Sequence, residues 1–177
     1  MSDWIAEWKK QDDTQREEER VKEQLRLQRN AMIREKLPGF WEALARCVYA
    51  DSEQLRKTLS GDQYHCEVDR DARPVTERPL IIRKVKHPFR QIEVRLNLDG
   101  HLLEIRKGTV FDTMGNVENP ESETVEVHVS RDESLKFICK DGAVCRAPAD
   151  LSKRFFEFLC DREPERPSRR IDLLDEE

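Results

Sequence analysis

The chain has 177 residues, of which 37% are apolar and 39% charged, and its formal net charge is −5 at pH 7. This length suits one domain with appendages, and the interspersed charges indicate a highly soluble surface and disfavour a globally basic nucleic-acid binder. No apolar run approaches the ~20 residues of a membrane span and no signal-peptide pattern opens the chain, so the cytoplasm is the expected compartment.

Residues 2 to 36 are predicted to form a long, protruding helix. They contain no Gly or Pro and consist mainly of Glu, Gln, Arg and Lys, which are good helix formers. Leu37-Pro38-Gly39 supplies the predicted stop. The segment from Lys9 to Arg20 has no apolar residue, so apolar side chains lie only near the two ends of this helix.

A second helix is predicted from about Phe40 to Ser60, because its apolar residues follow one stripe and Gly61 can end it. After this helix the hydrophobic period changes to two, which predicts strands. The predicted strands are residues 64–69, 80–86, 91–98, 101–107, 124–130, 135–140 and 143–146.

Asp99-Gly100 predicts a hairpin with a two-residue type I′ turn, because Gly accepts positive φ and Asp tolerates it. This turn fixes the register of the two flanking strands. One face then carries the apolar pairs Val94/Ile105 and Leu96/Leu103, and the other carries the charged pairs Arg95/Glu104 and Glu93/Arg106. Asp141-Gly142 repeats the same turn signal.

The remaining elements complete an α+β fold. Residues 112–123 read as a turn-rich, mobile acidic loop, and Pro148 opens a capping helix with an apolar stripe. We therefore expect two N-terminal helices, an antiparallel meander of six or seven strands forming a bent sheet or small open barrel, and a C-terminal capping helix. The element order is similar to that of pleckstrin-homology-like domains, in architecture only. The predicted divisions are a charged helix (1–37), an α+β domain (38–160) and a disordered acidic tail (161–177).

The sequence predicts no cofactor and no metal site. It contains no Gly-rich phosphate loop, no GxSxG, no HExxH and no paired CxxC, so a non-enzymatic role is preferred. The five cysteines are expected to be free thiols, because a two-residue turn would place Cys139 and Cys145 on opposite faces of the sheet.

Two groups of residues are candidates for binding. Trp4 and Trp8, spaced by four on a polar helix, either fold back on the domain or dock a partner. Val21, Leu25 and Met32 extend that surface. The second group is basic and consists of Arg83, Lys84, Lys86 and Arg90.

The resulting hypothesis is a protein-interaction or scaffold module that uses its N-terminal helix to bind another protein or itself, as a homodimer. One alternative is a small-ligand-binding domain or hydrolase with His65, His101 or His128 at the mouth of a cavity in the bent sheet. The other is an anion or nucleic-acid binder that uses the basic segment 78–95, provided that its side chains share one exposed face.

Overall fold

The computed structural model describes residues 3–59, 65–68, 78–86, 89–110 and 117–160. The predicted tail and Gly61 lie outside these ranges. The described chain is α+β, as predicted, and its elements in order are α1 (Asp3–Thr58), β1 (Cys66–Val68), β2 (Leu80–Lys84), β3 (Arg90–Asn97), β4 (Leu102–Val110), β5 (Val117–Val129), β6 (Leu135–Ile138), β7 (Val144–Cys145) and α2 (Pro148–Leu159).

A single helix, α1, replaces the two predicted N-terminal helices. It has 56 residues and continues through Pro38 and Gly39, so the predicted stop at these residues is wrong. An interior proline costs about 3 kcal/mol. Ile33, Leu37 and Trp41 are buried on either side of it, and each large buried apolar side chain contributes about 1.5–3 kcal/mol. Tertiary packing therefore outweighs the local helix-breaking signal.

The continuity of α1 predicts the sign of a substitution at Gly39. This residue is exposed, and a Cβ added to it would meet no atom within 4 Å. Gly39→Ala should stabilise the protein by about 0.5–1 kcal/mol, because Ala has the higher helix propensity. Urea unfolding of the two proteins measures the difference. Destabilisation by Ala would show that the helix ends here with a left-handed glycine.

The seven strands form one open antiparallel sheet in which each strand pairs with its neighbours in the sequence. This confirms the predicted meander. Strand β5 begins at Val117, so the predicted loop over 112–123 is wrong for its second part. A hydrogen bond to the neighbouring strand stabilises this longer β5: Lys107 Nζ of β4 donates to the Glu123 carboxylate at 3.1 Å. Residues 111–116 lie outside the described ranges.

The register between β3 and β4 is the predicted one. The apolar pairs and the charged pairs oppose each other as the sequence indicated. The predicted ion pair between Arg95 and Glu104 does not form. The Arg95 guanidinium lies 2.6 Å from Glu93 of its own strand, and Glu104 accepts a hydrogen bond from the side-chain amide of Asn97. The hydrophobic alternation therefore sets the register, and the surface charges choose among several partners.

The turn between β3 and β4 is not the predicted type I′ turn. The strands end at Asn97 and Leu102, and the positive φ belongs to His101, at 51°, instead of Gly100. The Gly100 N–H donates to Asn97 Oδ1 at 2.7 Å. The Asn97 side chain thus accepts a hydrogen bond within the turn, where a two-residue turn would rely on backbone acceptors. Four residues, 98 to 101, connect the two strands.

His101 is consequently a site of backbone strain. His101→Val should destabilise the protein by about 1–2 kcal/mol, because a β-branched residue resists a positive φ. His101→Gly is the matched control: it removes the same side chain, adopts this φ without strain and should lose less stability. Denaturant unfolding compares the two. Equal midpoints would show that the φ of His101 stores no strain.

The β6–β7 hairpin has a three-residue turn, Lys140 to Gly142. The Cys139 N–H donates to the Ala143 carbonyl at 2.9 Å, and Gly142 has φ of 82°. An odd number of turn residues changes which side chains share a face. Cys139 and Cys145 are therefore buried on the same face, contrary to the prediction, and both are free thiols.

Both helices cover one face of the sheet and enclose one core. The second half of α1 contributes Trp41, Leu44 and Val48, which are fully buried. Polar contacts fix this half at its end: Ser152 Oγ of α2 donates to the Asp51 carboxylate at 2.5 Å, joining the two helices. None of the helices in the described ranges has the length and hydropathy needed to cross a membrane.

Candidate protein-interaction surface

The first half of α1 lies outside the core. Every residue from Trp4 to Arg29 is exposed, whereas Ile33 and Leu37 are buried. We call residues 4–29 the exposed arm. At 1.5 Å per residue it is about 39 Å long. The arm is thus a continuation of a core helix that contributes no buried side chain to the core.

Two tryptophans and an isoleucine form an apolar patch near the start of this arm. Trp4 is 55% exposed and Trp8 is 67% exposed, while their ring centroids lie 5.3 Å apart at an interplanar angle of 81°. This edge-to-face arrangement holds the two indoles together. With Ile5 they form what we call the tryptophan patch. The structure leaves this patch in solvent, so the tryptophans do not fold back on their own domain.

The middle of the arm is held in helical form by ion pairs between residues three or four positions apart. Arg16 lies 2.9 Å from Asp12, and Arg26 lies 2.7 Å from Glu23. The hydrogen bond from Arg26 lowers the pKa of the Glu23 carboxyl. Each of these exposed pairs contributes little to helix stability, because solvent screens the attraction. They support the helix and leave its apolar side chains available.

The other predicted partner-binding residues lie further along α1. Val21 and Leu25 are about half exposed, and Met32 is half-buried where the helix joins the core. Trp8 and Val21 are 13 residues apart, about 20 Å along the axis. The structure therefore separates the five residues into two surfaces, the tryptophan patch and a second surface at the base of the arm.

The base of the arm borders a groove that sequence reasoning did not identify. Its volume is about 490 Å³, and we call it the basic groove. The helix wall consists of Lys22, Leu25, Arg26, Arg29, Asn30 and Ile33, and the sheet wall consists of His101, Val127, His128 and Val129. None of the described residues that line it carries a carboxylate. The sequence offered one signal for this groove, the spacing of Lys22, Arg26 and Arg29 around Leu25. The residues of the sheet wall could be identified only from the tertiary structure.

Two of the three histidines of the hydrolase alternative lie together, and the third does not. His101 and His128 line the basic groove, and His128 Nε2 lies 3.0 Å from the Glu126 carboxylate. His65 precedes β1, four strands from β5, which corresponds to roughly 19 Å. His101 Nε2 is buried without a hydrogen-bond partner among the described residues. Within those same ranges no group of three or more His, Cys, Asp or Glu is arranged to hold a metal ion.

The four basic residues of the second candidate group do not share one exposed face. Arg83 is exposed and donates to Gln91 Oε1 at 2.8 Å, whereas Lys84 is buried on the opposite face of β2. Lys86 is exposed. Arg90 donates to the Phe158 carbonyl at 2.7 Å and lies over the Phe158 ring, so it fastens α2 to the sheet.

Comparisons with protein-family models, with curated proteins and with solved structures found no match for this chain.

Proposed function

We propose that this protein is a non-enzymatic interaction module that uses the exposed arm of α1 to bind another protein chain in the cytoplasm. The tryptophan patch is the observation that carries this proposal. Both indoles are more than half exposed. Burying a large apolar side chain is worth about 1.5–3 kcal/mol, and tryptophan is enriched among the residues that dominate protein interfaces.

The rigid attachment of the arm supports the same function. The second half of α1 is fixed by the buried Leu37, Trp41 and Leu44, and the helix continues from them without a break. A partner that binds a preformed helix loses less conformational entropy than one that must order a loose segment. The arm thus presents its apolar side chains in one orientation at a low entropic cost.

The alternatives have weaker support. A hydrolase would need a nucleophile beside the histidines of the basic groove. Glu126 lies 3.0 Å from His128, but none of the described residues that line the groove is a Ser, Thr or Cys. An anion or nucleic-acid binder that uses the basic segment would need Lys84 at the surface, and this residue is 4% exposed. The tryptophan patch requires no rearrangement to bind a partner.

Site-specific photo-crosslinking in the source cells tests the proposal. A benzophenone amino acid at Trp8 should give a discrete covalent adduct with a protein, because an interface would bring a partner against this side chain. The matched control places the same amino acid at Arg106, an exposed residue on the outer face of the sheet. Adducts should be absent there. No adduct at Trp8, or the same adducts at both positions, would overturn the proposed function.

A further inference from the structure

We infer that the partner of the exposed arm is a second copy of this chain, bound antiparallel so that the tryptophan patch of each copy occupies the basic groove of the other. This inference rests on the function proposed above and names its partner. It is carried by the charge distribution along α1, by the position of the groove and by the helix face that connects groove and patch.

The charges along the first part of α1 are complementary in an antiparallel pair. When Trp8 of one copy lies opposite Leu25 of the other, the positions that face each other include four pairs of opposite charge: Glu7/Arg26, Lys10/Glu23, Asp13/Arg20 and Arg16/Glu17. A parallel pair in register would place identical charges together, which is unfavourable. The helix is therefore complementary to itself in one orientation only.

The same complementarity holds at the two ends of the contact. The segment 3–8, which contains the tryptophan patch, has two acidic residues and no basic one. The described residues that line the basic groove include three cationic side chains and no acidic one, while Glu23 and Glu126 lie just outside it and pair with Arg26 and His128. Arg26 and Arg29 of its wall also provide guanidinium groups, which bind the faces of indole rings. At about 490 Å³ the groove lies within the size range of binding sites for small molecules and has room for an indole.

One face of the helix connects the patch to the groove. Steps of four and three residues lead from Trp4 to Arg29, so the side chains at these steps lie along one stripe. The stripe is Trp4, Trp8, Gln11, Gln15, Glu18, Lys22, Leu25 and Arg29. Between Lys9 and Arg20 the uncharged residues are Gln11, Thr14 and Gln15, which lie on or beside this stripe. A second helix can therefore approach along the least charged side of the arm.

The fold also determines how far the two helices overlap. With Trp8 opposite Leu25 of the second copy, the two-fold axis passes between Arg16 and Glu17, and both patch-to-groove contacts form at once. Further overlap would drive the start of each helix into the sheet wall of the groove, at His101 and His128. Within one copy, Trp8 and Leu25 are 17 residues apart, about 26 Å on a single helix, so a single chain cannot make this contact with itself.

Charge exchange between patch and groove tests the inference in the full-length chain. The patch variant carries Asp3→Lys and Glu7→Lys, and the groove variant carries Lys22→Glu, Arg26→Glu and Arg29→Glu. Sedimentation velocity at low salt should show a dimer for the wild type. Each variant should raise the dissociation constant at least about tenfold, because like charges then meet. The chain that carries both sets of substitutions should have a dissociation constant within about threefold of the wild-type value.

The variant that carries both sets distinguishes antiparallel dimerisation from parallel or non-specific association. In a parallel pair the exchange of both sets would leave like charges opposed, so no recovery would occur. The groove-variant positions are exposed and both replacement types are good helix formers, so thermal unfolding should confirm that every variant keeps the fold.

A wild type that stays monomeric at all soluble concentrations would overturn the inference, and so would a combined variant that fails to recover. The proposed function is judged separately, by the adduct at Trp8. An adduct with a different protein would leave that function standing and overturn the second copy as partner. An adduct of twice the chain mass supports both.

Discussion

The burial of one stripe of α1 against the sheet is the contact on which the rest of the structure depends. Leu37, Trp41, Leu44 and Val48 are completely removed from solvent. Because they belong to the same helix as the exposed arm, their packing fixes the direction of the arm and the face that it presents. A loose linker in place of this helix would leave the tryptophan patch without a defined position.

The same packing explains why a strong helix-breaking signal has no effect. Pro38 removes one backbone hydrogen bond and Gly39 weakens the helix, together costing several kcal/mol. Burial of the neighbouring Ile33, Leu37 and Trp41, at about 1.5–3 kcal/mol each, offsets this cost. Toward the start of the arm no such burial exists, so the free energy of local opening must fall with distance from the core. A partner bound at the tryptophan patch would therefore protect from opening the part of the helix that opens most readily.

Much of the fold follows from the sequence because alternation of apolar and polar residues is a strong local signal. The strands and the β3–β4 register were predictable for this reason, since Val94 and Leu103 must face inward. The turn was not, because the Asn97 side chain and the positive φ of His101 define a longer connection. The basic groove could not be predicted from the sequence either. One wall comes from α1 and the other from residues about 100 positions later, such as Val127, which only the tertiary structure brings together.

The direction of the arm depends on α1 being one helix from the tryptophan patch to the core. NMR Cα secondary chemical shifts for residues 34 to 41 test this continuity, because they report helical backbone geometry residue by residue. A continuous helix gives an unbroken run of helical values through Leu37, Pro38 and Gly39. Values near those of random coil at these three residues, between two helical segments, would contradict it.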